Sequence, residues 1–556
     1  MPSITRSEPN LAEASARSMP SGLTGEDRER VTVTLLFVLS LAYLCVFRHY
    51  STLEPDEGIV LRGAERIIAG EVPYRDFFSF YTPGSFYLVA FLFRVFGDSF
   101  AVARTSLAFA GAIGSVVTYL LARRVCPRAI ALFAALLATI AGAAFRFLVL
   151  HNAYSTLLCC VTLYAAVRFL ETQKTVWAFW VGSLASLTFL LEQSKGAGLC
   201  AGLALGFIIL RTFDRASAFG KPGLLAVASG FAWPLVATFA YFALQHSLKV
   251  MVQSWLWPLH NYTHANRVPY GFQNWSDHSR DVIFHTGPWG IRAVKILVVS
   301  PGLLVPVLPL IAIALLVYWN VQLWRRSESS AESRYYVLVC SVLLGLLMSV
   351  VVVRADVLHF MYLAPLWYVV LAWIMGSQPI RSLALAAVRP FLIAYVVAAF
   401  GLLGMAVLFS TTGAHNRIET RRGVITSGEK DTVIDYVQAH LAPRQELLVY
   451  PYLPLYNYLT GTRSPSRYDY FQPGMNTREQ ANEIITSLQS KNDGVVLYEP
   501  WFAEKFANSW PGTSLTAIAD DPVADYIVRS YRVCKILNSP DGWRFHYMVR
   551  RDIDCP

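Results

Sequence analysis

From residue 31 to residue 410 the chain repeats one pattern, apolar runs of roughly 18 to 22 residues separated by short polar loops. Runs of that length match the span of a bilayer core by a helix, which satisfies its own backbone hydrogen bonds as hydrocarbon requires. The pattern predicts about eleven spans, near 31–49, 99–121, 129–149, 154–168, 176–191, 197–211, 223–245, 295–319, 335–353, 359–376 and 391–410. The stretch 83–96 is apolar but short and contains Arg94, so it reads as an interfacial helix. Two polar-aromatic segments are long, 51–98 and 246–292, and both fall on the same side of the predicted bundle. Residues 1–30 are polar and read as a disordered tail.

After residue 411 the pattern changes to short alternating elements. Thr426 with Glu429 and Thr477 with Gln480 have the spacing of capping boxes, while 446–450 and 494–498 read as strands. The predicted architecture is an all-α polytopic membrane bundle with interfacial helices and a small C-terminal α/β domain, 411–556.

Composition supports the membrane reading: 55% of residues are hydrophobic and 15% charged, more apolar surface than a soluble core hides. The net charge of +10 does not imply nucleic acid, because the cations lie scattered in loops and form no basic stripe. With the N-terminus inside, short cytoplasmic loops collect about thirteen positive charges, Arg123, Arg124, Arg128, Arg168, Lys174, Arg215, Lys221, Arg326 and Arg381 among them. The short loops opposite hold about three, Arg146, Lys195 and Arg354. That asymmetry predicts a multi-pass membrane protein with its N-terminus cytoplasmic and its C-terminal domain extracytoplasmic. Most of the eight cysteines sit inside spans; Cys534 and Cys555 share the C-terminal domain, where an oxidising compartment would let them pair.

Charged groups at a bilayer mark function, and here they gather on the outer side. Asp56 and Glu57 follow the first span and offer a general base, or simply complement the dipole of a helix over 59–68. Lys195 offers a charge for a lipid phosphate, or an ion pair with Glu192 that closes a helix. Arg354 offers two parallel hydrogen bonds to phosphate with Asp356 and His359 orienting nearby groups, or is paired by a capping Asp356. His151 and Asn152 form a fourth cluster at that level, and His260 and His264 stand at a metal-compatible spacing off any clear helix. A divalent cation is an open option, and no other cofactor is implied.

These parts, in this order, resemble the GT-C superfamily of membrane glycosyltransferases, especially the bacterial branch related to protein O-mannosyltransferases and lipid A aminoarabinose transferases. The resemblance spans roughly 31–410 and rests on Pro55-Asp56-Glu57, the run Tyr81 to Tyr87, Phe96-Gly97-Asp98-Ser99 with Arg104, and Arg354-Ala355-Asp356 with His359. Where those branches usually show a double proline, this chain has Thr82-Pro83-Gly84. The resemblance implies an inverting transfer from a polyprenyl-phosphate sugar to a glycan, lipid or protein hydroxyl. Asp56 would be the base and Glu57 its support or a cation ligand. Lys195, Arg104 and Arg354 would stabilise the departing phosphate, with His151, Glu192, Asp356 and His359 supporting. Two rivals stand beside it. A non-catalytic scaffold for lipid-linked glycan keeps the cations without needing the base, and a transporter would place its charges nearer the midplane.

Overall fold

The structure is a computed structural model that describes residues 25–213, 220–325 apart from 263 and 276, 331–376, and 384–556 apart from 473 and 491–493. Arg215, Arg326, Arg381 and most of the predicted N-terminal tail lie outside the described residues.

Helices α1 (Gly25–Cys45), α2 (Pro55–Ile68), α3 (Gly84–Phe96) and α4 (Phe100–Ala122) open the chain. Pro55 occupies the first turn of α2, where a missing N–H costs nothing, and Ser99 caps α4 by accepting from the Val102 amide. Helix α5 (Arg128–Ala138) continues as a π-turn over Thr139–Ala143, and the chain then leaves helical geometry before α6 (His151–Thr172). The run 129–149, predicted as one span, is therefore a shorter helix followed by a loop that carries Arg146. Helices α7 (Thr175–Leu191), α8 (Gln193–Phe213), α9 (Lys221–Leu244), α10 (Leu248–Asn261) and α11 (Asp277–Phe284) follow.

The predicted span 295–319 is two helices, α12 (Trp289–Leu304) and α13 (Leu308–Arg325), joined by a single 3-10 turn. Pro301, Pro306 and Pro309 remove amide donors through this stretch and break the ladder. Helices α14 (Ala331–Val353), α15 (Val357–Met361), α16 (Ala364–Gly376) and α17 (Ala384–Thr412) complete the bundle. Among the described residues seven helices are long and apolar enough to cross a membrane, and four shorter apolar helices accompany them, α3 included. The protein is a multi-pass membrane protein. Helices α8 and α14 pack so closely that a Cβ on Gly345 would lie 2.2 Å from the Gly198 carbonyl oxygen, and the buried apolar residues of both join one core.

Beyond α17, strands β1 (Asn416–Thr420) and β2 (Gly423–Ser427) form a hairpin. Thr426, predicted to start a helix, lies in β2, where it pairs with Arg417 and its amide reaches the His49 carbonyl. A four-stranded sheet in the order β3-β4-β6-β5 uses β3 (Leu447–Tyr450), β4 (Val495–Tyr498), β5 (Tyr531–Asn538) and β6 (Arg544–Arg550). Only β3 and β4 are parallel. Helices α18 (Val433–His440), α19 (Pro454–Thr460), α20 (Arg478–Gln489), α21 (Phe502–Ser509), α22 (Leu515–Ala519) and α23 (Pro522–Ser530) are interleaved with these strands. Thr477 and Gln480 form the predicted capping box of α20. Cys534 and Cys555 form a disulfide with their Cα atoms 5.5 Å apart, tying the C-terminal tail to β5.

Helix α2 joins the two parts. One face is sealed into the bundle, and the other receives α19 so closely that a Cβ on Gly58 would lie 2.2 Å from the Leu455 amide nitrogen. Arg66 pairs with Asp469 at 2.8 Å and with Glu71 at 2.6 Å, and Arg422 contacts Glu65 and Asp98. These charges are mostly shielded from water, so each pair depends on its partner being in place. Gly58→Ala is expected to push α19 off α2. Limited proteolysis should then release the 411–556 region faster while the transmembrane fragment stays intact, and an unchanged digestion pattern would refute this packing.

Candidate functional site

The site forms where α2, the 146–151 loop, the α7–α8 joint, the α14–α15 turn and the C-terminal domain meet. Asp56 stands in the first turn of α2 with its side chain 40% exposed. Its Oδ1 accepts a 2.6 Å hydrogen bond from the Tyr452 hydroxyl, and its Oδ2 faces Arg146 at 3.4 Å. Arg146 also reaches Glu54 at 3.3 Å, so one partly exposed guanidinium serves two carboxylates.

The neighbouring Glu57 points the other way. It is fully buried and takes two 2.6 Å hydrogen bonds from Arg104 and one from the Val149 amide. Arg104, expected beside a lipid phosphate, is instead enclosed by Glu57, the Phe147 carbonyl and the rings of Phe100 and Phe147. A buried guanidinium needs this full set of partners, and the bidentate fork of a carboxylate supplies the best of them. Glu57 and Arg104 thus hold α2 against α4 and the loop that carries Arg146.

Lys195, in the first turn of α8, is also buried. Its ammonium pairs with Glu192 at 2.9 Å and donates toward the Asn152 carbonyl, the Asn152 side chain, Ser155 and Thr156 within 3.3 Å. Burial pushes the Glu192 carboxyl up, and Lys195, His151 and Ser155 more than reverse it, leaving it below the usual carboxylate range. His151 stacks on Tyr81 with ring centroids 4.6 Å apart, and the charges of Glu192, Lys195, Asp56 and His359 all act on its ring. Tyr81 is fixed by the loop before α3, where Gln193 bonds the Phe80 carbonyl and the Thr82 amide.

At the α14–α15 turn Arg354 donates to Asp356, to Asn266 at 3.0 Å and to the Ser509 carbonyl, and lies 5.6 Å from the Trp510 ring. Asp356 caps α15 through the His359 amide and bonds the His359 ring at 2.6 Å. Burial alone would raise the Asp356 carboxyl, but His359 and Arg354 outweigh it and hold it at about 2. The Arg354 side chain is thus satisfied by protein groups, and its cluster ties the turn to α21 and Trp510.

Three residues that the sequence did not single out for chemistry complete the arrangement. Arg146 is the only charged residue lining a cavity of about 80 Å³ between α4, α5, α6 and the α15–α16 segment, which is otherwise lined by groups such as Leu107, Ala138, Leu157, Met361 and Pro365. Tyr362 lines the same cavity, and its hydroxyl has no hydrogen-bond partner among the described residues. Tyr452 comes from the C-terminal domain. Arg146 was visible only as one of the few charges on its side, whereas no local signal links Tyr362 or Tyr452 to Asp56. His260 and His264 do not gather further ligands. Among the described residues no three His, Cys, Asp or Glu side chains are placed to share a metal ion.

Two substitutions test this geometry. Arg104→Ala leaves Glu57 charged and buried, which should cost about 3–5 kcal/mol and lower the thermal unfolding midpoint in detergent. Because the Asp356 carboxyl is depressed in the folded state, its contribution is present above pH ~4 and lost as pH falls toward 2. Asp356→Asn should remove that acid-dependent component, and an identical stability–pH profile in the variant would contradict the pairing.

A family model described as dolichyl-phosphate-mannose-protein mannosyltransferase matches residues 81–242. No curated protein matches the chain. The fold is similar to the crystal structure of ArnT from Cupriavidus metallidurans bound to undecaprenyl phosphate, at 15% identity and a TM-score of 0.46, covering 96% of this chain and 100% of that one. The apo structure of the same protein matches at 15% identity and a TM-score of 0.46, covering 94% and 98%. The matched segment carries Tyr81, Arg104, Arg146, His151, Glu192 and Lys195, and over that segment the chain resembles the mannosyltransferase family.

Proposed function

We propose that this protein is an inverting transferase that moves a sugar from a polyprenyl-phosphate donor to a hydroxyl of a cell-envelope acceptor, at the outer face of a bacterial inner membrane. The observation that carries this reading is the pairing of Asp56, a partly exposed carboxylate, with Arg146, the single charge lining an apolar cavity. The apolar lining of that cavity suits only the hydrocarbon next to the donor's phosphate, and the phosphate suits Arg146 and the Tyr362 hydroxyl. The family match supports a lipid-phosphate sugar as donor.

In this reading Asp56 accepts the proton of the acceptor hydroxyl as its oxygen attacks the anomeric carbon. The bond from that carbon to the phosphate oxygen breaks on the opposite side, and the departing phosphate keeps the electron pair. Arg146 neutralises the charge that develops there. Tyr452 fixes the rotamer of Asp56 so that one oxygen faces the acceptor. Lys195, behind Thr156 of the cavity wall, adds positive potential without contacting the phosphate. Glu57 and Arg104 position α2, and Arg354, Asp356 and His359 hold the α14–α15 turn over the site.

Membranes carrying Asp56→Asn should retain donor binding and lose transfer by about 10²–10⁴-fold. Arg146→Ala should weaken binding of the lipid phosphate itself, and Tyr452→Phe should lower kcat roughly ten-fold with donor KM little changed. Assay with radiolabelled polyprenyl-phosphate sugar reads all three. Full transfer by Asp56→Asn would overturn the assignment of the base.

A further inference from the structure

We propose that a second cavity, in the C-terminal domain, binds a saccharide unit of the acceptor next to the unit that receives the sugar; this rests on the transferase reading above. The cavity encloses about 490 Å³, within the range of ~300–1,000 Å³ typical of small-ligand sites. It opens at the carboxyl ends of β3 and β4, the two parallel strands, where α/β sheets commonly place their ligands.

Its walls combine two chemistries. Tyr450 and Tyr498, paired across the strand ends with ring centroids 6.2 Å apart, and Phe502 supply aromatic surface. Glu499, Asp521 and Asp525 supply carboxylates, against the single cation Arg529. The Tyr450 ring is locked, since its hydroxyl donates to both Asp521 oxygens at 2.7 and 2.6 Å. The Tyr498 hydroxyl is pushed up to about 12 by burial and by Asp521, Glu499 and Asp525, which line the same cavity.

A phosphate or carboxylate ligand would be repelled by this balance of charge. A sugar ring fits both halves: its C–H face packs on aromatic rings, and its hydroxyls donate to carboxylates while accepting from a tyrosine. The cavity also sits close to the reaction. Phe502, in its wall, lies 6.2 Å from the ring of Tyr452, the residue bonded to Asp56. One aromatic layer therefore separates this cavity from the tyrosine that holds the base, a spacing suited to a neighbouring saccharide of a longer glycan.

The test is saturation-transfer NMR on the full chain in lipid nanodiscs, free of maltoside detergent, with methyl mannoside, lactose and maltose as probes. At least one probe should show ring-proton saturation that falls about five-fold in Tyr498→Ala, which removes an aromatic face and a hydroxyl, and in Asp525→Asn, which replaces a charged acceptor by a neutral amide. Asp525 is exposed, so its variant tests the site without disturbing the sheet. Asp56→Asn should bind the probes as the unaltered chain does. Absence of signal from every probe, or signal undiminished in both cavity variants relative to the unaltered chain, overturns the proposal even if Asp56→Asn is inactive. Loss of probe binding in the cavity variants, with transfer intact in Asp56→Asn, keeps the sugar cavity and removes the assignment of the base.

Discussion

The bidentate pair of Glu57 and Arg104, closed off from water, is the constraint on which the site depends. A charge buried without its partner is costly enough that neither residue can move alone. Because Glu57 follows Asp56 directly, locking one carboxylate into the bundle sets the direction of the other. The same arginine bonds the Phe147 carbonyl, and Glu57 accepts from the Val149 amide, so the loop bearing Arg146 is held by this pair as well. Asp56 and Arg146 are thereby referenced to one fixed point.

Adjacent acidic residues thus divide their work. Glu57 is spent on position, and Asp56 stays partly open to solvent. Lys195 and Arg354 show the same logic at two further corners, each surrounded by protein acceptors that hold a loop in place. Arg146 is paired as well, with Glu54 and Asp56, but it also lines the apolar cavity.

Much of the membrane architecture was legible because a bilayer imposes a length and a polarity on each helix, and those survive in a single sequence. The misjudged run 295–319 shows the limit: hydropathy registers apolar residues but not the prolines that divide them. Among the expected residues, Asp56, Glu192, Lys195 and His359 all act on the His151 ring. Which of them stays open was not legible. Whether an arginine faces a cavity or a buried glutamate depends on partners such as Glu57 and Arg104, 47 residues apart. The contribution of Tyr452 left no trace near Asp56.

The Tyr452 to Asp56 hydrogen bond spans 396 positions of the chain. Translation delivers the acidic residue early and its tyrosine late, after the last helix of the bundle has been made. During that interval the membrane portion can be threaded and packed while Asp56 lacks the tyrosine that orients it. Biogenesis therefore has a built-in order, in which the folding of the final quarter of the polypeptide fixes the orientation of a side chain made near its start.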